Sequence, residues 1–179
     1  MTRVLLLDEL QKFCINTVKD FSLPTVTQKG DTKLKCRPPD VYKMRLSNSS
    51  AAKKVSPYII LQLVTGKDEK KEGQPSDSVV LVRMIFSVYN EDEQEGSLYL
   101  LNVMEAVRIE LLKKTVIGEK FHLDREEGVE TLIYPDDTAP FFIGEMMTTW
   151  HLPPVEQEVC PWEDMKGGFY DEKEINRRS

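Results

Sequence analysis

The sequence predicts an α+β protein: a mainly antiparallel sheet flanked by an N-terminal helix and a central amphipathic helix. Three observations carry this. Residues 2–21 and 98–114 repeat apolar side chains every three and four positions, the period of one helix face. Residues 78–89 alternate apolar and mixed positions with the period of two that belongs to a strand. Residues 128–152 hold two further strand-like runs around a turn.

The first helix follows from Leu6, Leu7, Leu10, Phe13, Cys14, Val18 and Phe21, which form one apolar stripe opposite Asp8, Gln11, Lys12 and Lys19. It should stop before Pro24, because the residue preceding a proline is pushed out of the α region. Residues 25–56 lack periodicity and carry turn signals at Gly30, Pro38–Pro39 and Ser47–Ser50. They read as an extended basic arm, with a short strand around Val41–Arg45, because residues 25–54 hold eight basic against two acidic side chains. An arm of this kind either orders against a partner or stays a flexible loop.

The first core strand is Pro57–Thr65, apolar at Tyr58, Ile59, Ile60, Leu61, Leu63 and Val64, as expected for an inner strand covered on both faces. Gly66–Asp77 (GKDEKKEGQPSD) has nothing to bury and reads as a projecting loop. In the second strand, Ser78–Tyr89, the residues Val80, Val82, Met84, Phe86 and Val88 form the core face. Arg83 on the other face marks a surface that is either open or covered by another subunit; an ordinary solvated arginine with a packed stem has the same signature. After the acidic turn Asn90–Gly96, Ser97 is the expected N-cap of a helix running through Leu98–Lys114. Its apolar face holds Leu100, Leu101, Met104, Val107, Leu111 and Leu112, and acid precedes it while Lys113 and Lys114 close it, in accord with the helix dipole. Phe121–Leu123 is a short apolar patch, and Gly128–Tyr134 and Ala139–Leu152 form a hairpin, with Gly144 a bulge or close-approach point.

Length and composition fit one domain over residues 1–155, which includes the 25–56 arm, and a flexible charged tail over 156–179. No apolar run approaches the roughly 20 residues that span a bilayer, so the chain is expected in the cytoplasm, without a membrane partner. A net charge of −6 argues against a protein that coats nucleic acid, since that needs clustered Lys and Arg. Cys14, Cys36 and Cys160 have no CxxC spacing and read as free thiols.

No catalytic constellation carries weight. His122 and His151 stand outside any HExxH or CxxC pattern, and no phosphate-binding glycine loop or nucleophile elbow is present. Glu91–Glu93 lacks the loop of a calcium site, and Cys36 sits among Lys33, Lys35 and Arg37 without a general base. The expectation is no enzyme, no cofactor and no metal.

The order of segments is informative as a whole. "PPDVY", then "SPYIILQLVTGKDE", then "VVLVRMIFSVYNEDEQEGSLYLLNVMEAVRIELLKK" and "LIYPDDTAPFFIGEMMTTWHLPPVE" together resemble the tail terminator, or tail completion, proteins of long-tailed bacteriophages and prophages. The resemblance covers most of residues 1–155 and none of the tail. It implies a small α+β subunit of a homo-oligomeric ring, typically a hexamer. Such a ring caps the tail tube, ends polymerisation of the major tail tube protein and offers its other face to the head-side connector protein. Phage DNA would pass through the lumen without specific binding, and the protein would reside in the bacterial host cytoplasm during assembly and then in the virion. In that scheme Lys67, Asp68, Glu69, Lys70 and Lys71, together with Val41 and Tyr42 of the arm, face the tube or the connector, and Arg83 lies at a subunit contact. Another head-tail connector component, or a stand-alone α+β domain with a ligand or peptide pocket between the 98–114 helix and the sheet, are the alternatives.

Overall fold

The computed structural model describes residues 2–26, 35–46, 55–70, 72, 76–134 and 139–155. Lys71, the turn 135–138, most of the basic arm and the 156–179 tail lie outside the described residues. The chain is α+β, with two helices and a curled mixed sheet. In order the elements are α1 (Arg3–Val18), β1 (Leu23–Pro24), β2 (Cys36–Arg37), β3 (Asp40–Lys43), β4 (Tyr58–Glu69), β5 (Asp77–Tyr89), α2 (Glu93–Lys113), β6 (Val116–Ile117), β7 (Phe121–Leu123), β8 (Val129–Ile133) and β9 (Phe141–Leu152).

β1 and β2 form a small antiparallel pair. The main sheet has seven strands in the order β3-β4-β5-β9-β7-β6, and β8 also pairs with β9. β3 runs parallel to β4. The β4–β5, β5–β9, β8–β9, β7–β9 and β6–β7 pairs are antiparallel. The expected hairpin of residues 128–152 is therefore present as β8–β9. Gly144 sits in regular register against Phe86 and Ile133, and a Cβ there would meet the Met104 sulfur at 2.5 Å. The glycine thus serves a close approach of α2 to the sheet.

The alternation read in residues 78–89 is realised. Val80, Val82, Met84 and Phe86 are fully buried, and they join Leu6, Leu10 and Cys14 of α1 and Leu100, Met104 and Val107 of α2 in one apolar cluster. α1 has no side-chain N-cap and no acid in its first turn, so burial of this stripe rather than local capping holds it helical. Cys14 and Cys36 are free, and burial pushes the Cys14 thiol up to about 12, which removes it from thiolate chemistry at neutral pH.

Three expectations change. The 66–77 segment is not a loop throughout: β4 continues to Glu69 and pairs with Asp77–Val80. A bulge between Leu63 and Thr65 carries the strand past the point where burial ends. The hydrogen-bonded ladder of a long hairpin needs no apolar side chains, so hydropathy cannot see it. α2 starts five residues earlier than its apolar period indicates. Asp92 caps it, accepting from Gln94 N and Glu95 N at 3.0 Å each, while Ser97 lies inside the helix and donates to Glu93 O. Of the acids in the stretch that reads as a turn, Glu93 and Glu95 lie in the first helical turn, where the dipole favours them. Leu101, placed on the apolar face, is 41% exposed, whereas Val103 is buried.

Candidate functional site

On β5 the residues between the core positions, namely Val79, Leu81, Arg83 and Ile85, are half-buried and point away from the apolar cluster. β9 places Glu145 and Met147 on the same side, opposite Ile85 and Arg83, and β8 places Glu130 and Leu132 opposite Met147 and Glu145. Arg83 binds across this face. Its Nε and Nη2 donate to Gln62 Oε1 at 3.1 and 2.7 Å, and its Nη1 lies 3.7 Å from Glu145 Oε1. The hydrogen bond from Tyr134 to Glu145 is the main reason the tyrosine pKa is raised. Beside this chain of polar groups lies a shallow groove of about 240 Å³, walled by Val64, Leu132, Met147 and Glu130. Val64 and Leu132 are 46% and 53% exposed. Arg83 is thus half-buried with its stem packed and its head engaged in an otherwise open sheet face.

The other predicted contact residues fall in two places. Lys67, Asp68 and Glu69 are the last residues of β4, with Lys70 just beyond, and all but the half-buried Glu69 are exposed. Lys67 pairs with Glu69. Asp68 is held by Arg3 at 2.7 Å and by Ser78 Oγ at 2.5 Å, so the loop end of the β4–β5 hairpin is tied to the start of α1. Val41 is buried among the core residues, and its carbonyl accepts from Gln11 Nε2 at 2.7 Å. Tyr42 turns to the opposite side, where it meets Tyr58 edge to face at 6.5 Å and its hydroxyl reaches Asp40 at 3.3 Å. Partial burial, then Asp40, raises its pKa. Of the described residues singled out, those at the end of β4 and Arg83 border open surface on the sheet.

One cluster escaped the sequence reading. His151 lies between two carboxylates, with Nδ1 3.2 Å from Asp77 Oδ1 and Nε2 3.0 Å from Asp124 Oδ2. Asp124 also accepts from the backbone N–H of Glu126 and Glu127 at 2.8 and 3.1 Å. Those backbone bonds, the Glu127 bond first, and the histidine hold its carboxyl below the usual range. Partial burial of the His151 ring pulls its pKa down, but the two carboxylates together raise it above 6.5. No local motif announces this, because strand register alone brings residues 77, 124 and 151 together.

Stability from charged His151 is fully present below its ordinary value near 6.5 and is lost as pH rises through the higher folded value. That from Asp124 is present above its ordinary 3.8 and is lost as pH falls through the lower folded value. The melting difference between wild type and His151→Gln is therefore expected to be largest between about pH 4 and 6.5 and to shrink towards pH 9. Because the ring is 39% exposed, it should stay under about 1 kcal/mol. Equal differences at pH 5.5 and 8.5 would remove the electrostatic explanation.

A groove of about 770 Å³ runs between the helices, with Lys12 and Phe13 of α1 facing Ile109 and Glu110 of α2. Beneath α2, by contrast, Leu100, Met104 and Val107 fill the helix-sheet interface. Among the described residues no group of three or more His, Cys, Asp or Glu is placed to hold a metal ion, and no helix is long and apolar enough to cross a membrane. No protein-family model matches the chain, and no curated protein matches it.

Proposed function

We propose that this chain is a structural subunit of the bacteriophage tail that forms a homo-oligomeric ring of the tail terminator kind, a hexamer by resemblance. Its body is a mainly antiparallel sheet flanked by the two helices. The ring caps the tube of the major tail tube protein, ends its growth and presents its far side to the head-side connector protein. The protein acts without cofactor or metal and works in the bacterial host cytoplasm and then in the virion. DNA passes its lumen without specific binding, which the net charge of −6 favours.

The observation that supports this reading best is the sheet face away from the helices. It carries Arg83, Glu145, Met147, Val64 and Leu132 half-exposed, with no element of the described chain across them. A face of this kind suits contact with another protein better than chemistry on a small molecule. The order of sequence segments supports the same reading. A head-tail connector component would present similar surfaces and is separated by which partner it binds.

The inter-helix groove favours a second reading, a ligand- or peptide-binding domain. The two are distinguished by the mass of the purified protein and by negative-stain images with phage tail tubes added. Rings, alone or on tube ends, are expected. A strict monomer that ignores tubes would favour the groove reading instead.

A further inference from the structure

Among the described residues, two open stretches of the main sheet, along β8 and along the end of β4, have complementary geometry. β8 pairs with β9 on one side only. Tyr134 N donates to Ile143 O, and hydrogen-bonded pairs alternate along an antiparallel ladder. Glu130 and Leu132 are then the residues bonded to β9, while the N–H and C=O groups of Val129, Thr131 and Ile133 point outward. On the far side of the sheet, β3 covers β4 only from Tyr58 to Leu61. Met44 N donates to Leu61 O, so before the bulge the odd residues of β4 face the β3 side. The bulge between Leu63 and Thr65 shifts this phase. Thr65 and Lys67 then bond to β5, while Gly66 and Asp68 point their backbone groups outward. Each open edge is about five residues long, and among the described residues no strand pairs with either.

Strand direction and charge make the two edges fit each other. β8 runs antiparallel to β9, which runs parallel to β4 by way of β5. A rotation about an axis along the strands preserves those directions, so the β8 of one copy meets the β4 of the next as an antiparallel pair. The register that sets Thr131 against Gly66 and Val129 against Asp68 joins outward backbone groups on both sides. It also sets Glu130 directly opposite Lys67 on the sheet face that carries Arg83. Shifting by two residues one way brings Glu130 against Glu69, a like-charge pair. Shifting the other way runs Leu132 into Leu63, whose N–H lies 3.5 Å from the Met44 sulfur.

We infer that β8 of one subunit pairs antiparallel with β4 of the next, residues 129–133 against 64–68, so that the sheet runs unbroken from subunit to subunit. Because the two edges differ, the contact is head-to-tail and generates a closed ring or an open filament rather than a two-fold dimer. The inference rests on the ring-forming reading above and names the surfaces that build it.

Sedimentation of the full chain, alone and with phage tail tubes, tests it. Glu130→Lys and Lys67→Glu are each expected to weaken self-association at least about tenfold, and the double variant to restore it. Thr131→Pro deletes one outward N–H and leaves the β9 ladder intact, so it should remain monomeric with an unchanged far-ultraviolet spectrum. Rings formed as in wild type by Thr131→Pro and by both charge variants would overturn this contact and leave the ring reading standing. A wild type that stays monomeric under all these conditions would overturn both.

Discussion

Replacing Trp150 with alanine is expected to cost the fold about 3–5 kcal/mol, the range for removing a large buried aromatic side chain. Trp150 is fully buried on β9, opposite Val80 of β5 on one side and Leu123 of β7 on the other. It joins the long central strands to the short β6–β7 pair. Its indole N–H donates to Thr148 Oγ1 at 2.9 Å, and Thr148 in turn donates to Val82 O at 3.3 Å, with both side chains buried. The substitution therefore opens a cavity and leaves a buried hydroxyl with one partner fewer. With a urea dependence of about 1–3 kcal/mol per M, the unfolding midpoint should fall by at least about 1 M. A loss below about 1 kcal/mol would mean that the ring does not fill the space between β5, β7 and β9.

The second large effect is expected at Leu10. Its side chain is fully buried in the cluster shared by α1, the sheet and α2. Leu10→Ala should cost about 2–5 kcal/mol, the spread reflecting how far the site can collapse. Val4 lies on the same helix but is 64% exposed, so Val4→Ala should stay within about 0.5 kcal/mol. Thermal unfolding of the two variants side by side measures the contrast. Similar losses for both would show that α1 is stabilised by its own helical propensity rather than by the sheet it covers.

The contrast between Leu10 and Leu101 explains how far the sequence can be read. Apolar side chains at helical spacing located both helices, since the period reports which residues share a face. It did not report how wide the covered stripe is. Leu101 falls on the edge of the α2 stripe and is left in solvent, while Val103 is taken into the core. The start of α2 is invisible to hydropathy for a related reason: its first turn is built from Glu93, Gln94, Glu95 and Gly96, which carry a dipole preference but no hydrophobic period. Gly96 is buried because the Phe142 ring occupies the space a Cβ would need, 2.1 Å from it. That contact joins residues on different elements, and no local pattern announces it.

The candidate surface was legible only in part. Arg83 stood out as a charge within an alternating strand, and Lys67 stood out as polar sequence beyond the first core strand. Neither signal identified Gln62 and Glu145 as the partners of Arg83, or Glu130 as a residue on the same face.

The sequence by itself determined the α+β class, the presence of the two helices, the core side of β5 and the β8–β9 hairpin. Each of these depends on side chains a few positions apart. Only the tertiary structure decided the strand order, the continuation of β4 past its bulge, and the meeting of Asp77, Asp124 and His151. Those features depend on which strands pair and in what register, which is set by packing between residues far apart in the chain. The two open edges at β4 and β8 belong to this second group, since an edge exists only once every other strand has found its neighbour.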